Sequence, residues 1–296
     1  LYGEAAELCR QHGRRINAAV SDINRAQVAV ARGRIEEVPA RLLPSLDYLK
    51  LEGAQNLLGQ GQVVLARVHD ALGDREAAMT AVDDALAAAE TTRYLPALFA
   101  AHFEKAHLLG VGGDLDRAWA HLELAREFAR ESGRVDDLLG AECLRILLLC
   151  WQDRVEEAAV AFDEIEAKLR EHRSSIPFDL LAVATLFGLP PDRAGSIPAE
   201  EDEPIDRALL LAACEYASGG NDLGALREAA EQLRGDDVGE HRAMLRILAD
   251  VFESHAAALG HDPQAVARAA ASAEAAAAAL GHHWLAALAR DALPDS

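Results

Sequence analysis

One fixed recurrence constrains this chain more than any other feature. Val38, Ala78, Ala118 and Ala158 follow one another at a step of 40, each five residues after a turn position carrying Gly33, Gly73, Gly113 and Asp153. Four residues beyond each mark stand Leu42, Val82, Leu122 and Phe162; twelve before it stand Ala26, Ala66, Ala106 and Ile146. The pattern resumes with Gly220 and Ala225, then Gly260 and Ala265, after a gap that equals one period plus an insertion of 27. Six copies are therefore expected. A fixed period of this length marks an array in which one unit cannot bury its apolar stripe alone and must stack on its neighbours.

Each copy reads as two antiparallel helices. Glycine accepts the positive φ at which helices commonly stop, and Asp74 or Asp114 right after it suits the positively polarised start of the next helix. Small residues at the marks let the helices approach, and the apolar residues four positions on fill the space between them. Composition agrees: hydrophobic residues make up 51% and aromatics only 5%, alanine and leucine dominate, and no strand-like runs of Val, Ile and Thr occur. The expected fold is all-α, a right-handed α-solenoid of antiparallel helix pairs.

These units resemble the tetratricopeptide repeat (TPR), whose signature includes A-x3-F; Ala158 and Phe162 in "AAVAF" stand at that spacing. The resemblance covers about Ala19 to Asp291 and departs from the family in three respects. The period is 40 rather than 34, first-helix positions carry residues such as His102 and Lys105, and Lys50, Glu90, Arg130 and Arg170 stand where a closing proline is usual. The longer unit resembles the repeats of bacterial signalling ATPases and of transcriptional regulators similar to the maltose regulator. The ending "AAAALGHHWLAALARDAL" resembles the phrase that closes the repeat region of LuxR-type regulators with an N-terminal NTPase.

The expected organisation is a truncated helix plus four TPR-like units over 1–171, an insertion over 172–205, and two further units plus a capping helix over 206–296. Gly13, Gly53 and Gly133 are separated by one and then two periods, so "EAAELCRQHG" reads as the second helix of a preceding unit. Within the insertion, Phe178 to Gly188 reads as a short apolar helix, and Pro190, Pro191 and Pro198 enforce a loop before the acidic run Glu200 to Glu203. It is an eroded repeat plus a surface linker, a hinge between the four units before it and the two after it, or a contact element for another domain. The final helix, around His283 to Leu293, is expected to cap the array with Trp284 and Leu288.

Chemistry is sparse. The net charge of −20 opposes phosphate backbones and anionic lipid, which excludes direct nucleic-acid and membrane-surface binding. No P-loop, Gly-rich dinucleotide turn, H-E-x-x-H or nucleophile elbow is present, and the eleven histidines show no metal-ligand spacing. Ser174, Ser175 and His172 form no triad, and Asp83-Asp84, Asp136-Asp137 and Glu156-Glu157 read as solvated faces. Cys9, Cys143, Cys150 and Cys214 form no C-x-x-C pair; Cys143 and Cys150 read as small core residues in a reducing, cytoplasmic setting. No enzyme activity, metal or cofactor is expected.

The TPR resemblance implies that the first helices line a concave groove. Its register points to Gln27, Arg67, Asp70, Phe103, His107 and Trp151, and also to Cys143, Cys150, Arg207, Cys214, Asp250 and Ser254. Such a groove suits a peptide segment or a small polar effector. The expected function is a non-catalytic binding module, the sensor or scaffold part of a larger bacterial regulator with an NTPase upstream and a helix-turn-helix downstream. The alternative is a plain adaptor beside a protease or cyclase domain. A homodimer through Leu1 to His12 is a further expectation.

Overall fold

The computed structural model describes residues 2–31, 35, 37–172, 223–234 and 242–291, and its regular structure is α-helical, with no strand among the described residues. A short α1 (Tyr2–Gln11) leads into four helices that start one period apart: α2 (Arg15–Ala31), α4 (Gln55–Ala71), α6 (Leu95–Val111) and α8 (Val135–Trp151). Interleaved with them, α5 (Arg75–Thr92), α7 (Leu115–Ser132) and α9 (Val155–His172) keep the same step. α3 (Val38–Leu51) starts three residues late relative to that series. Pro39 explains the delay: proline lacks an N–H and fits the first turn of a helix, where no intrahelical acceptor is needed. Later in the chain come α10 (Leu223–Leu233), α11 (Arg242–Leu259), α12 (Pro263–Ala279) and α13 (His283–Asp291).

The helix stops make the period visible in the backbone. Gly53, Gly73, Arg93, Gly113, Gly133 and Asp153 all have positive φ and follow one another at half the period, two per unit. At Gly73 the amide donates to the Asp70 carbonyl at 2.9 Å and the Asp74 amide to the His69 carbonyl at 2.8 Å. Asp153 repeats this pattern with Cys150 at 2.9 Å, and Arg154 with Leu149 at 3.0 Å. This doubly bonded stop satisfies carbonyls that the helix end would otherwise orphan. Asp153 thus adopts the left-handed conformation (φ 58°) that its sister positions assign to glycine. The next helix is capped where the sequence indicates, since the Asp74 carboxylate accepts from the Ala77 amide at 3.1 Å.

One register expectation is corrected. The sequence pattern places the turn and the packing mark of the last copy at Gly260 and Ala265, but the left-handed residue is His261 (φ 57°) and the cap is Asp262, which accepts from the Ala265 amide. The buried mark is therefore Val266, at 2% exposure. A glycine near a helix end does not have to occupy the left-handed position itself, and here the capping aspartate fixes the phase instead. Gly33, Gly220, Arg207, Cys214, the insertion from residue 173 and the Trp284 side chain lie outside the described residues.

All twelve marks of the first four copies are buried: Val38, Ala78, Ala118 and Ala158, their partners four residues on, and Ala26, Ala66, Ala106 and Ile146. Consecutive helices pack on one another from α1 to α5, and α2 also touches α4, so first helices of successive copies are adjacent. Buried Asp22 on α2 ties the beginning together, accepting from Arg10 of α1 at 2.5 Å and from Ser45 of α3 at 2.7 Å. From α10 to α13 the same pattern recurs, with α13 touching α11 as well as α12. Phe252, Val251, Leu226, Leu285 and Ala289 centre that core, and Leu288 packs against it.

The described residues fall into two compact units. The first holds those up to Leu109 and Asp116–Leu138; the second holds Gly110–Leu115 and those from Leu139 onward. Among the described residues no helix is long and apolar enough to cross a membrane.

Candidate functional site

Positions 27, 67 and 107 share one register on α2, α4 and α6, and their environments differ. Gln27 is exposed. The Arg67 guanidinium lies over a buried carboxylate on the next first helix, with Nε donating to Glu104 Oε2 at 2.7 Å; Glu104 is 5% exposed and Arg67 44%. Arg67 is therefore held by the fold as well as presented to solvent. Asp70, Phe103 and His107 are half-buried, and the Phe103 ring lies against Phe99 with centroids 5.5 Å apart. These five residues belong to the first unit.

Trp151 belongs to the second unit and lies over Gly110. A Cβ added at Gly110 would meet the Trp151 ring at 2.5 Å and Leu148 at 2.6 Å, so glycine is required for this close approach. Cys143 and Cys150 are buried free thiols, and burial pushes the Cys150 thiol up to about 12. Ser254 is fully buried and donates to the Val266 carbonyl, while Asp250 accepts from Arg234 and Ser272. Cys143, Cys150 and Ser254 are thus core residues rather than groove residues.

The structure adds two features to the sequence-derived residues. His102 on α6 and His121 on α7 face each other with Nδ1 atoms 2.9 Å apart and ring centroids at 5.1 Å. Phe128 lies 5.6 Å from the His102 ring, and Lys105 pairs with Asp83. Burial, then His121 and Lys105, lower the His102 pKa to about 4, and burial likewise lowers that of His121. One neutral imidazole donates and the other accepts, which satisfies two polar groups between a first and a second helix. Among the described residues no cluster of three His, Cys, Asp or Glu side chains is placed to hold a metal.

The second feature is an open cleft of about 570 Å³ between α3 and α5, floored by α4. α3 and α5 both belong to the second-helix layer. Of its apolar lining only Leu43 is exposed, at 44%, while Leu46, Leu58, Leu65 and Ala81 behind it are buried in the core. Asp47, Glu76 and Asp84 stand exposed at its walls, and no ion pair involves them among the described residues. The Asp74 cap adds a fourth carboxylate, against one ammonium, Lys50, and the half-buried His69. The sequence reading misses this cleft because it assigns binding to the first helices and takes Asp83-Asp84 as a solvated face. Its signal is Leu43 beside Leu42, which widens the apolar stripe of α3 beyond what burial uses.

Together these features are a half-exposed guanidinium held by a buried carboxylate, a buried histidine pair and an acid-rimmed cleft. No family model matches the chain, and no curated protein matches it.

Proposed function

We propose that this chain is a non-catalytic interaction module, a right-handed TPR-like solenoid serving as the sensor or scaffold part of a larger cytoplasmic bacterial regulator. The observation that carries the reading is the recurrence of helix starts at one fixed period, with a left-handed stop at every half period from Gly53 to Asp153. A structure made of one repeated helix pair spends its side chains on stacking and offers extended surfaces for partner segments. Free thiols at Cys9, Cys143 and Cys150 suit a reducing compartment. Gln27 and Arg67, one period apart on adjacent first helices, are the expected contacts for a partner peptide or a small polar effector.

A photo-crosslinker at Gln27 in the full gene product tests the binding claim. The expected result is one discrete adduct, with a partner segment or with another domain of the same protein, reproduced with purified components. Adducts no more frequent than at exposed Glu131 refute it. The regulator claim is tested in the adjoining coding sequence: a P-loop NTPase upstream and a helix-turn-helix downstream support it, and a complete gene without them leaves the plain adaptor.

A further inference from the structure

The first two helices break a burial rule that the copies after them keep. Tyr2 on α1 stands one, two, three and four periods before Leu42, Val82, Leu122 and Phe162; Val28 on α2 precedes Val68, Leu108 and Leu148 in the same way. Those seven later positions are at most 4% exposed, whereas Tyr2 is 44% and Val28 36% exposed. Leu8 of α1 is 55% exposed, and Ala5 and Cys9 are half-buried. The cause is visible one period on. There α2 packs on both α3 and α4, and its Ala19, Ile23 and Ala26 share one core with Leu42, Leu49 and Val68. The groove between α1 and α2 is the same groove one period earlier, and among the described residues no helix fills it.

We infer that a second copy of this chain fills this groove, α1 of each protomer packing between α1 and α2 of the other in a two-fold dimer. α1 has the ridge that this requires. Tyr2, Ala5 and Cys9 follow one another at helical spacing, as Ala19, Ile23 and Ala26 do on α2, and their small members let helices approach closely. Charge permits a second copy at this face and opposes it elsewhere. Residues 2–31 carry four arginines against three carboxylates, a net +1 in a chain of net −20, so two such faces meet without the repulsion that the rest of the chain would add. At 1.5 Å per residue and a width of about 10 Å, the faces of α1 and α2 cover roughly 400 Å² per copy, the range of weak, reversible pairs. The inference goes beyond the interaction-module reading and does not depend on it.

Sedimentation equilibrium of the chain, from about 5 to about 200 µM, tests it. The weight-average mass should climb from that of a monomer towards twice that value and stop there. Raising salt from about 50 to about 300 mM should strengthen the dimer, because it screens the repulsion between the two acidic bodies. Tyr2→Asp/Val28→Asp should weaken association by about tenfold or more, since it sets like charges face to face. Leu43→Asp/Leu51→Asp places the same charges on exposed leucines of α3 and should change association by less than about twofold. Circular dichroism checks that both variants keep their helicity. A monomer at every concentration overturns the inference. So does equal loss in both variants, which would mean unspecific apolar contact, or growth beyond two copies. A full gene product that stays monomeric where the chain pairs also overturns it, because the occupant is then a helix of the same polypeptide. If no dimer forms while the Gln27 adduct does, the dimer face falls and the module reading stands.

Discussion

Arg67→Ala breaks the ion pair that reaches from α4 to Glu104 on α6 at 2.7 Å. Pairs exposed on both sides are worth about 0.2–1 kcal/mol, whereas stranding one partner of a fully buried pair costs about 3–5 kcal/mol. This pair lies between those limits, because Glu104 is 5% exposed but Arg67 is 44% exposed and water can reach the carboxylate once the arginine is gone. A cost of about 2 kcal/mol is therefore expected. The double variant Arg67→Leu/Glu104→Leu should be less destabilised than Arg67→Ala, because the Glu104 carboxylate is then not left stranded. Urea unfolding followed by circular dichroism reads both, and an unchanged slope shows that the denatured state is not the cause. A loss below about 0.5 kcal/mol for Arg67→Ala, with the double variant no better, would mean that the pair is an ordinary surface contact.

Three further outcomes follow from the packing and the titrating groups. Gly110→Ala places a methyl 2.5 Å from the Trp151 ring and 2.6 Å from Leu148; it should cost about 1–3 kcal/mol in urea unfolding, and Trp151→Leu should cost less in the Gly110→Ala background than in the parent, because it removes one of the two clashes. Asp153→Gly relieves a left-handed non-glycine residue at φ 58° and should raise stability by about 0.5 kcal/mol, the balance of about 1–2 kcal/mol of relieved strain against the extra freedom of an unfolded glycine. His102 titrates near 4 in the folded chain against 6.5 for an unperturbed histidine, so the unfolded chain binds the proton first as pH falls. Stability should therefore be complete above 6.5 and decline towards 4, by up to about 3 kcal/mol from this residue; His102→Gln should flatten that part of the unfolding profile relative to the parent.

What the sequence makes legible here is local chemistry. A left-handed stop followed by a capping aspartate is written in two adjacent residues, so the pairs at Gly73-Asp74 and Gly113-Asp114 announce their helix ends. The phase of the buried faces follows from them. Where the stop is Arg93 or His261 the residue type carries no such message, and the sequence pattern misplaces the copy at Asp262 by one residue for that reason. Contacts between helices are legible only in part. The Arg67–Glu104 pair joins residues 37 apart and the His102–His121 pair residues 19 apart. A residue's partner there depends on how helices turn toward each other, which spacing along one helix does not encode. Trp151 shows the same limit: its place in the register points to a groove, and Gly110, far back along the chain on α6, gives it a packing partner.

If the helix pair spanning one period is the building unit, deletion of one pair reveals it most directly. Removing residues 55–94 takes out α4 and α5 whole and joins Ala54 to Leu95, each in the register the other expects. In an array whose stability is a sum of units and their interfaces, this shortened chain should keep its helicity per residue and still melt cooperatively, at a lower midpoint. Removing residues 75–94 deletes α5 alone, leaves α4 facing a first helix, and should abolish the cooperative melt. Equal collapse of both chains, or equal tolerance of both deletions, would contradict the repeat as the unit of this fold.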